Sequence, residues 1–152
     1  MGYVEKTLQP GEDIVYQTRV HWVIYLPAVL LILLGIAIAI LAGSQGPDQD
    51  LLSWLGRGTL AVGFLLFVKA WITWISTEMA ITSRRVIAKF GFIRRRTYEI
   101  DRSKVESVKV DQSILGRIFD YGTVTVTGTG SSSAPVKDVD SPLEFRGKLL
   151  AG

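Results

Sequence analysis

The sequence has no cysteine, one histidine and little excess charge, since 17 basic and 14 acidic residues leave a net charge of +3. Without cysteine, the chain cannot form disulfides or thiolate metal sites. Its one histidine, His21, has no second histidine or cysteine arranged around it in a zinc-binding pattern. A net charge this small gives nucleic-acid binding no global electrostatic support. We therefore expect no metal, no cofactor and no nucleic-acid partner.

Charged residues are also nearly missing from residues 22–77, and this gap divides the chain into three parts. We expect an N-terminal arm over residues 1–21, a helical hairpin over 22–77 and a globular domain over 78–152. Within the arm, β-forming residues over 14–20 predict a short strand, which follows a turn at Pro10-Gly11. An irregular arm is the alternative.

Two apolar runs within 22–77 are each long enough to cross a membrane. Residues 22–42 contain no charge, and these 21 residues would form a helix of about 31 Å, against a hydrocarbon core of about 30 Å. The second run, about 52–75, contains only Arg57 and Lys69 as charged residues. A cleaved signal peptide fits the first run poorly, because the apolar core of such a peptide has only about 7–15 residues. The sequence therefore predicts a transmembrane hairpin.

Tryptophans and long basic side chains lie near the predicted ends of the two helices. Tryptophan prefers the membrane–water interface, and lysine or arginine can extend its charged group toward the headgroups. A lysine that relayed protons inside the membrane would want an acidic partner, and neither run contains one. The predicted membrane-interface anchors are Trp22, Trp54, Arg57, Lys69, Trp71 and Trp74.

Basic residues are unevenly distributed around the hairpin, and this distribution predicts its orientation. The connection between the helices holds Asp48 and Asp50 but no lysine or arginine, whereas basic residues are densest over 84–96. Since lysine and arginine near membrane spans are retained on the cytoplasmic side, both termini are predicted to be cytoplasmic.

Small residues recur every seven positions in both predicted helices. In an antiparallel hairpin they pair in a single register, 28 with 70, 35 with 63 and 42 with 56, which places Gly35 opposite Gly63. Small residues allow membrane helices to approach closely. The alternative is that such residues are simply common in membrane helices. The predicted helix-packing residues are Ala28, Gly35, Ala42, Gly56, Gly63 and Ala70.

Beyond residue 77, the apolar pattern changes to that of short strands. The predicted strands cover residues 79–90 and 92–100 on either side of a turn at Gly91, a run that begins at Val105, the alternating segment 123–127 and the segment 134–139. Residues 113–119 have the spacing of a short amphipathic helix. The segment 141–144 has the pattern of a capping box, which opens a last helix whose apolar residues Leu143, Phe145 and Leu149 cover the sheet.

The first predicted hairpin of this domain carries a dense group of basic residues. We refer to this group as the basic hairpin; it consists of Arg84, Arg85, Lys89, Arg94, Arg95 and Arg96. Beside a bilayer, each such residue attracts anionic lipid by about 1 kcal/mol, within a Debye length of the surface. The alternative is that these residues only fix the topology and keep a strand edge soluble.

Four short sequence blocks follow one another in the C-terminal part of the chain and are informative when taken together. They are Thr82-Ser83-Arg84-Arg85-Val86-Ile87, Thr97-Tyr98-Glu99-Ile100, Gln112-Ser113-Ile114-Leu115-Gly116-Arg117 and Tyr121-Gly122-Thr123-Val124. Together they resemble the bacterial membrane-anchored PH (pleckstrin homology)-like family, which commonly places one or more helical hairpins before its domain. The resemblance implies a bacterial inner-membrane protein, in which a two-helix transmembrane hairpin precedes a small PH-like antiparallel β barrel or sandwich with a C-terminal helix.

The sequence contains no arrangement of residues that supports catalysis, so we expect a protein that is not an enzyme. Our interpretation is an adaptor or accessory subunit that docks onto a larger inner-membrane protein assembly, or pairs with its own copies, through sheet edges and the groove beside the last helix. The alternative is a binder of anionic lipid headgroups. In that case the basic hairpin would be the site, since the spacing of Lys89, Arg94 and Arg96 resembles that of the phosphate-binding residues of phosphoinositide-binding PH domains.

Overall fold

The computed structural model describes residues 3–44, 50–92, 96–129 and 132–151. In chain order, its elements are α1 (Tyr3–Thr7), β1 (Ile14–Arg19), a 3-10 turn (Trp22–Tyr25), α2 (Leu26–Ser44), α3 (Asp50–Ser76), β2 (Glu78–Thr82), β3 (Arg85–Phe90), β4 (Arg96–Asp101), a 3-10 turn (Arg102–Lys104), β5 (Val105–Asp111), α4 (Ile114–Ile118), β6 (Tyr121–Gly128), β7 (Ser132–Asp140) and α5 (Pro142–Leu150). The chain forms two compact units. The β unit combines Met1–His21 with Thr73–Gly152, and the helical unit is Trp22–Ile72.

The helical unit contains two long helices, α2 and most of α3. Pro27 lies in the first turn of α2, where an N–H group has no partner within a helix, so the proline removes no helical hydrogen bond. Both helices are long and apolar enough to cross a membrane. Their large apolar side chains are widely exposed, for example 57% of Leu33 and 67% of Leu65.

The two long helices pack through glycines, in a register that differs from the predicted one. A Cβ atom added at Gly35 would lie 2.8 Å from Leu60 Cγ and 2.9 Å from the Leu60 backbone nitrogen. One added at Gly63 would lie 2.8 Å from Ile32 Cγ1 and 3.0 Å from the Ile32 backbone nitrogen. The residue nearest Gly35 is therefore Leu60 and not Gly63, which is a shift of about one helical turn. Each glycine receives a large side chain of the facing helix, and this interlocking sets the register.

The small residues that were predicted to mediate packing are all buried within the helical unit; they are Ala28, Gly35, Ala42, Gly56, Gly63 and Ala70. Other glycines of these helices have open surroundings. A Cβ atom added at Gly43 or Gly58 would meet no other atom within 4 Å. Close approach of the helices is therefore confined to particular glycines.

The β unit consists of two antiparallel sheets, with the strand orders β1-β2-β3-β4 and β5-β6-β7. An isolated bridge between Val20 and Val139 links the N-terminal segment to the second sheet. Apolar side chains of both sheets, among them Met79, Ile81 and Val126, are fully buried in one core. Helix α5 closes this core with Phe145, which is also fully buried. The predicted antiparallel β domain with a C-terminal helix is thus confirmed.

The helical unit is inserted between the first two strands of the β unit. Strand β1 pairs with β2, and Arg19 at the end of β1 lies opposite Glu78 at the start of β2. The two long helices therefore replace the short connection of a β-hairpin. We refer to the end of the sheets that contains Arg19, His21 and Glu78 as the proximal end, and to the opposite end, which contains Arg84, as the distal end.

The predicted single strand over residues 79–90 is wrong, because the chain turns at Ser83 and Arg84 between β2 and β3. The Thr82 hydroxyl holds this turn, since its oxygen accepts a hydrogen bond from the backbone N–H of Arg85 at 3.0 Å. Gly91, which was expected at the first turn, lies in the next connection with a φ of +83°. Glycine suits that position because other residues are strained at a positive φ.

The predicted capping box at the start of α5 is also wrong, although the helix itself is present. Ser141 has a φ of +48°, in the left-handed region, and its side chain accepts no capping hydrogen bond. The carboxylate of Glu144 instead accepts a hydrogen bond from the Tyr16 hydroxyl at 3.3 Å. Leu143 was expected to cover the sheet but is 56% exposed, because Phe145 and Leu149, four residues apart, form the buried face of the helix.

Candidate functional site

Arg85 of the basic hairpin is committed to a network of hydrogen bonds that holds the N-terminal arm on the first sheet. Its Nε and Nη2 atoms each donate to the Glu12 carboxylate at 3.0 Å, and Nη2 also donates to the Thr7 carbonyl at 2.8 Å. Its Nη1 atom donates to the Glu99 carboxylate at 2.6 Å. The guanidinium of Arg85 has therefore few donors left for a lipid headgroup, and we remove this residue from the candidate headgroup site.

Glu12 receives hydrogen bonds from three sides. The Thr82 hydroxyl donates to its Oε1 atom at 2.6 Å, and the Gln9 backbone N–H donates to its Oε2 atom at 2.8 Å. Burial alone would raise the pKa of this carboxyl, but hydrogen bonds from Arg85, Thr82 and Gln9, together with the charge of Arg85, lower the pKa to about 2. The hydrogen bond to Glu12 also raises the pKa of Arg85. Glu12 and Arg85 are thus both ionised at neutral pH.

The other described residues of the basic hairpin, Arg84, Lys89 and Arg96, do not form one patch. Arg84 is exposed in the turn at the distal end, where Nη1 lies 3.5 Å from Gln9 Oε1. Lys89 lies opposite Glu78 at the proximal end, and Arg96, which is exposed, lies opposite Phe90 at the same end. Strand β3 separates Arg84 from Arg96, about 17–20 Å at about 3.3 Å per residue. Arg94 and Arg95 lie outside the described residues.

His21 fixes the place where the chain leaves the β unit for the first long helix. Its backbone N–H donates to the Asp138 carbonyl at 2.6 Å, and its imidazole stacks on the Tyr121 ring with 5.3 Å between centroids. Its Nε2 atom lies 3.8 Å from an Asp140 carboxylate oxygen. The imidazole is buried. These contacts give His21 a structural role at the proximal end.

An exposed apolar helix, α4, lies at this same proximal end. It connects β5 to β6, and β6 begins with Tyr121, the residue that stacks on His21. The large apolar side chains of α4 and of Phe119, which follows it, are between 44% and 80% exposed; they are Ile114, Leu115, Ile118 and Phe119. Sequence spacing predicted the helix, but it did not predict that its apolar side would be uncovered.

The predicted membrane-interface anchors are mostly exposed. Trp22 precedes α2, Trp54 lies in the first turns of α3, and Trp71 and Trp74 lie toward its end, with exposed fractions between 37% and 66%. The guanidinium of Arg57 lies 5.4 Å from the centre of the Trp54 ring, as in a cation–π contact. Lys69 is exposed near the end of α3.

Four of the described strands lie at a sheet edge, namely β1, β4, β5 and β7, and two of these, β4 and β5, are consecutive in the chain. Strand β4 pairs with β3 alone, and β5 pairs with β6 alone. A small polar cleft lies at the distal end of this pair, where Lys104 forms an ion pair with Asp101 at 3.2 Å. Helix α5 packs against β1, β5 and β6, so one face of the β5 edge lies beside a helix.

The family model for bacterial PH domains matches residues 18–152 of this chain. The chain belongs to the bacterial PH domain family. The match includes the end of β1, both long helices and strands β2 to β7, so the helical insertion between β1 and β2 is within the part that the family model covers. No curated protein and no solved structure matches the chain.

PH domains are in general non-catalytic binding modules. Within residues 3–44, 50–92, 96–129 and 132–151, no three histidine, cysteine, aspartate or glutamate side chains form a group that could hold a metal ion. Asp138 and Asp140, alternate residues of β7, interact instead with His21 through a backbone carbonyl and a carboxylate. Among the described residues, exposed surfaces that could bind a partner include the β5 edge, the proximal basic residues and α4.

Proposed function

We propose that the chain is an integral protein of the bacterial inner membrane and that its PH domain, in the cytoplasm, binds another membrane protein as an adaptor or accessory subunit. The exposed leucines, isoleucines and valines of α2 and α3 support the membrane part of this proposal. In water such apolar surfaces would cause the chain to associate, whereas in a bilayer they would contact the apolar lipid chains. The pairing of Arg19 with Glu78 supports a hairpin, because the chain leaves the sheets for the first long helix and returns from the second one at the same end.

The observation that carries the proposed partner binding is the β5 edge. In the described chain β5 has only β6 as a neighbour, so its other side can accept a strand of a partner by main-chain hydrogen bonding. Its half-buried residues Val105, Val108 and Val110 pack on the core and keep the strand in place. Its exposed residues, among them Ser107, would contact the partner.

A photoreactive cross-linker on a single cysteine tests this proposal, since the natural chain contains no cysteine. We expect Ser107→Cys, which places the probe on the β5 edge, to yield one discrete cross-linked product in native membranes. The matched control is Lys6→Cys, an exposed position on α1. No product from position 107, or the same product from both positions, would contradict partner binding at this edge. A differently tagged second copy of the chain would identify a homo-oligomer.

A second candidate is binding of anionic headgroups at the proximal end. Its support is the position of Lys89 and Arg96 at the end of the first sheet where the chain passes from α3, which ends at Ser76, into β2, which begins at Glu78. It is the weaker proposal, since Arg85 is bound within the domain and Arg84 lies at the distal end.

A further inference from the structure

We propose that helix α4 is a lipid-inserting element, whose side chains Ile114, Leu115 and Ile118 enter the interfacial layer of the bilayer from the cytoplasmic side. This inference rests on the proposed function, because it needs the long helices to span that bilayer. The three side chains are 80%, 54% and 68% exposed. Such a dense apolar group on the surface of a small domain marks a site of interaction with a membrane or a protein.

The position of α4 favours the membrane over a protein as its occupant. Tyr121, which begins β6 directly after α4, stacks on His21, and the next residue is Trp22, where the first predicted span begins. The chain therefore fixes α4 at the end of the PH domain from which the predicted spans start. If the first span begins at Trp22, the chain tethers this end of the PH domain to the membrane surface.

The charges at the same end also match a membrane surface. Phe92, which is 61% exposed, follows β3, and the exposed Arg96 begins β4 after it. Arg117 is an exposed basic residue on α4 itself. Apolar side chains beside arginines are the composition of elements that lie in the interface of anionic bilayers. The proximal end therefore combines apolar and basic side chains in two separate connections.

The local structure holds α4 in the orientation that exposes these side chains. The Ser113 hydroxyl caps the helix and accepts a hydrogen bond from the Gly116 N–H at 3.0 Å. The Gln112 side-chain amide donates to the carbonyls of Gly116 and Tyr121, each at 3.2 Å. A Cβ atom at Gly116 would lie 2.5 Å from the Tyr121 carbonyl oxygen, so only glycine allows this approach. These contacts hold the apolar side chains of α4 in exposed positions, and most of them lie within the block Gln112-Ser113-Ile114-Leu115-Gly116-Arg117.

Spin labels on single cysteines test this proposal in the full-length chain, reconstituted into vesicles of phosphatidylethanolamine and phosphatidylglycerol. Collisions of the label with oxygen report lipid, and collisions with a water-soluble nickel chelate report water. We expect labels at Ile114→Cys and Ile118→Cys to be accessible to oxygen and protected from nickel. The matched control is Leu150→Cys, which is 64% exposed but lies at the distal end, where Arg102 donates to the Leu149 carbonyl. Its label should be accessible to nickel.

The other outcomes are also decisive. Nickel accessibility at Ile114 and Ile118 equal to that at Leu150 would overturn the proposal, because α4 would then lie in water. Protection from both reagents would overturn it too, because α4 would then be covered by protein. A label at Leu33→Cys, which is 57% exposed on α2, tests the proposed span separately. If the label at Leu33 is accessible to oxygen and the label at Ile118 is accessible to nickel, the insertion of α4 is rejected and the proposed span is retained. If the label at Leu33 is accessible to nickel, the proposed span is rejected.

Discussion

Arg85 and Glu12 form a two-point ion pair across 73 positions of the sequence, with Nε and Nη2 each 3.0 Å from a carboxylate oxygen. The Glu12 side chain is fully buried, and 13% of the Arg85 side chain is exposed. The pair fastens the segment before the first long helix to β3, the second strand after the two long helices. It therefore ties together the two parts of the PH domain that the helical insertion separates.

Loss of the Glu12 charge should destabilise the PH domain strongly. Glu12→Gln leaves the half-buried guanidinium of Arg85 without its main counter-charge, and breaking a buried pair in this way costs about 3 kcal/mol or more. Glu99→Gln is the matched control, because that carboxylate is 41% exposed and should cost less than about 1 kcal/mol. Chemical unfolding of the purified protein in mild detergent, followed by tyrosine and tryptophan fluorescence, measures both. Equal effects of the two substitutions would contradict a structural role for the buried pair.

The stability of the PH domain should fall in acid with a contribution from Glu12. Its pKa is about 2 in the folded protein, against an ordinary value of 4.5, so the folded state prefers the ionised carboxylate. This contribution is fully present above about pH 4.5 and is lost as the pH falls from there toward about 2. Unfolding midpoints measured across this range should decline less steeply in Glu12→Gln than in the natural protein. Parallel declines would show that other carboxyl groups carry the acid sensitivity.

Gly35 should be sensitive to the addition of one methyl group, and Gly58 should not. Gly35→Ala places a Cβ atom within 3 Å of both the side chain and the backbone of Leu60, so the helices must separate. Overpacking of this kind costs about 1–3 kcal/mol. Gly58→Ala meets nothing within 4 Å and should be neutral or stabilising, because alanine favours a helix over glycine by about 1 kcal/mol. The thermal unfolding midpoints of the two variants, measured in the same detergent, check this prediction. A loss of stability in Gly58→Ala but not in Gly35→Ala would contradict packing of the helices at Gly35.

Reversing the charge of one arginine at each end of the basic hairpin tests which end binds anionic lipid. If anionic headgroups bind at the proximal end, Arg96→Glu should reduce the amount of phosphatidylglycerol that remains bound to the purified protein. A basic residue near the surface contributes about 1 kcal/mol, which corresponds to about a fivefold change in affinity. Arg84→Glu, at the distal end, should leave the amount unchanged. Quantitative lipid mass spectrometry of both variants checks this, and equal losses would mean that the attraction is not localised.

Features that depend on neighbouring residues could be predicted from the sequence. Val124 and Val126 alternate with threonines, and β6 buries both valines completely. Ile114 and Ile118 have helical spacing, and both lie in α4, four residues apart. In each case a local repeat determines which side of the element an apolar residue occupies. The same holds for the long apolar helices, whose length and composition are evident in any window of the sequence.

Features that depend on distant partners could not be predicted. Arg85 was assigned to a lipid-binding group because its neighbours are basic, while the carboxylate that engages it lies 73 positions away. The turn at Ser83 interrupts two apolar stretches of β-forming residues and contains neither glycine nor proline. The register of the long helices depends on which large side chain enters each glycine site, and spacing of small residues does not specify that choice.

Accessibility of two single cysteines in spheroplasts tests the central claim most directly, namely that the long helices form a membrane-spanning hairpin with a cytoplasmic PH domain. Ser44→Cys lies at the end of α2, and Lys104→Cys lies in the exposed turn before β5. A membrane-impermeant maleimide should label position 44 in intact spheroplasts and position 104 only after the membrane has been opened. Labelling of both positions in intact spheroplasts, or of position 104 alone, would contradict the account.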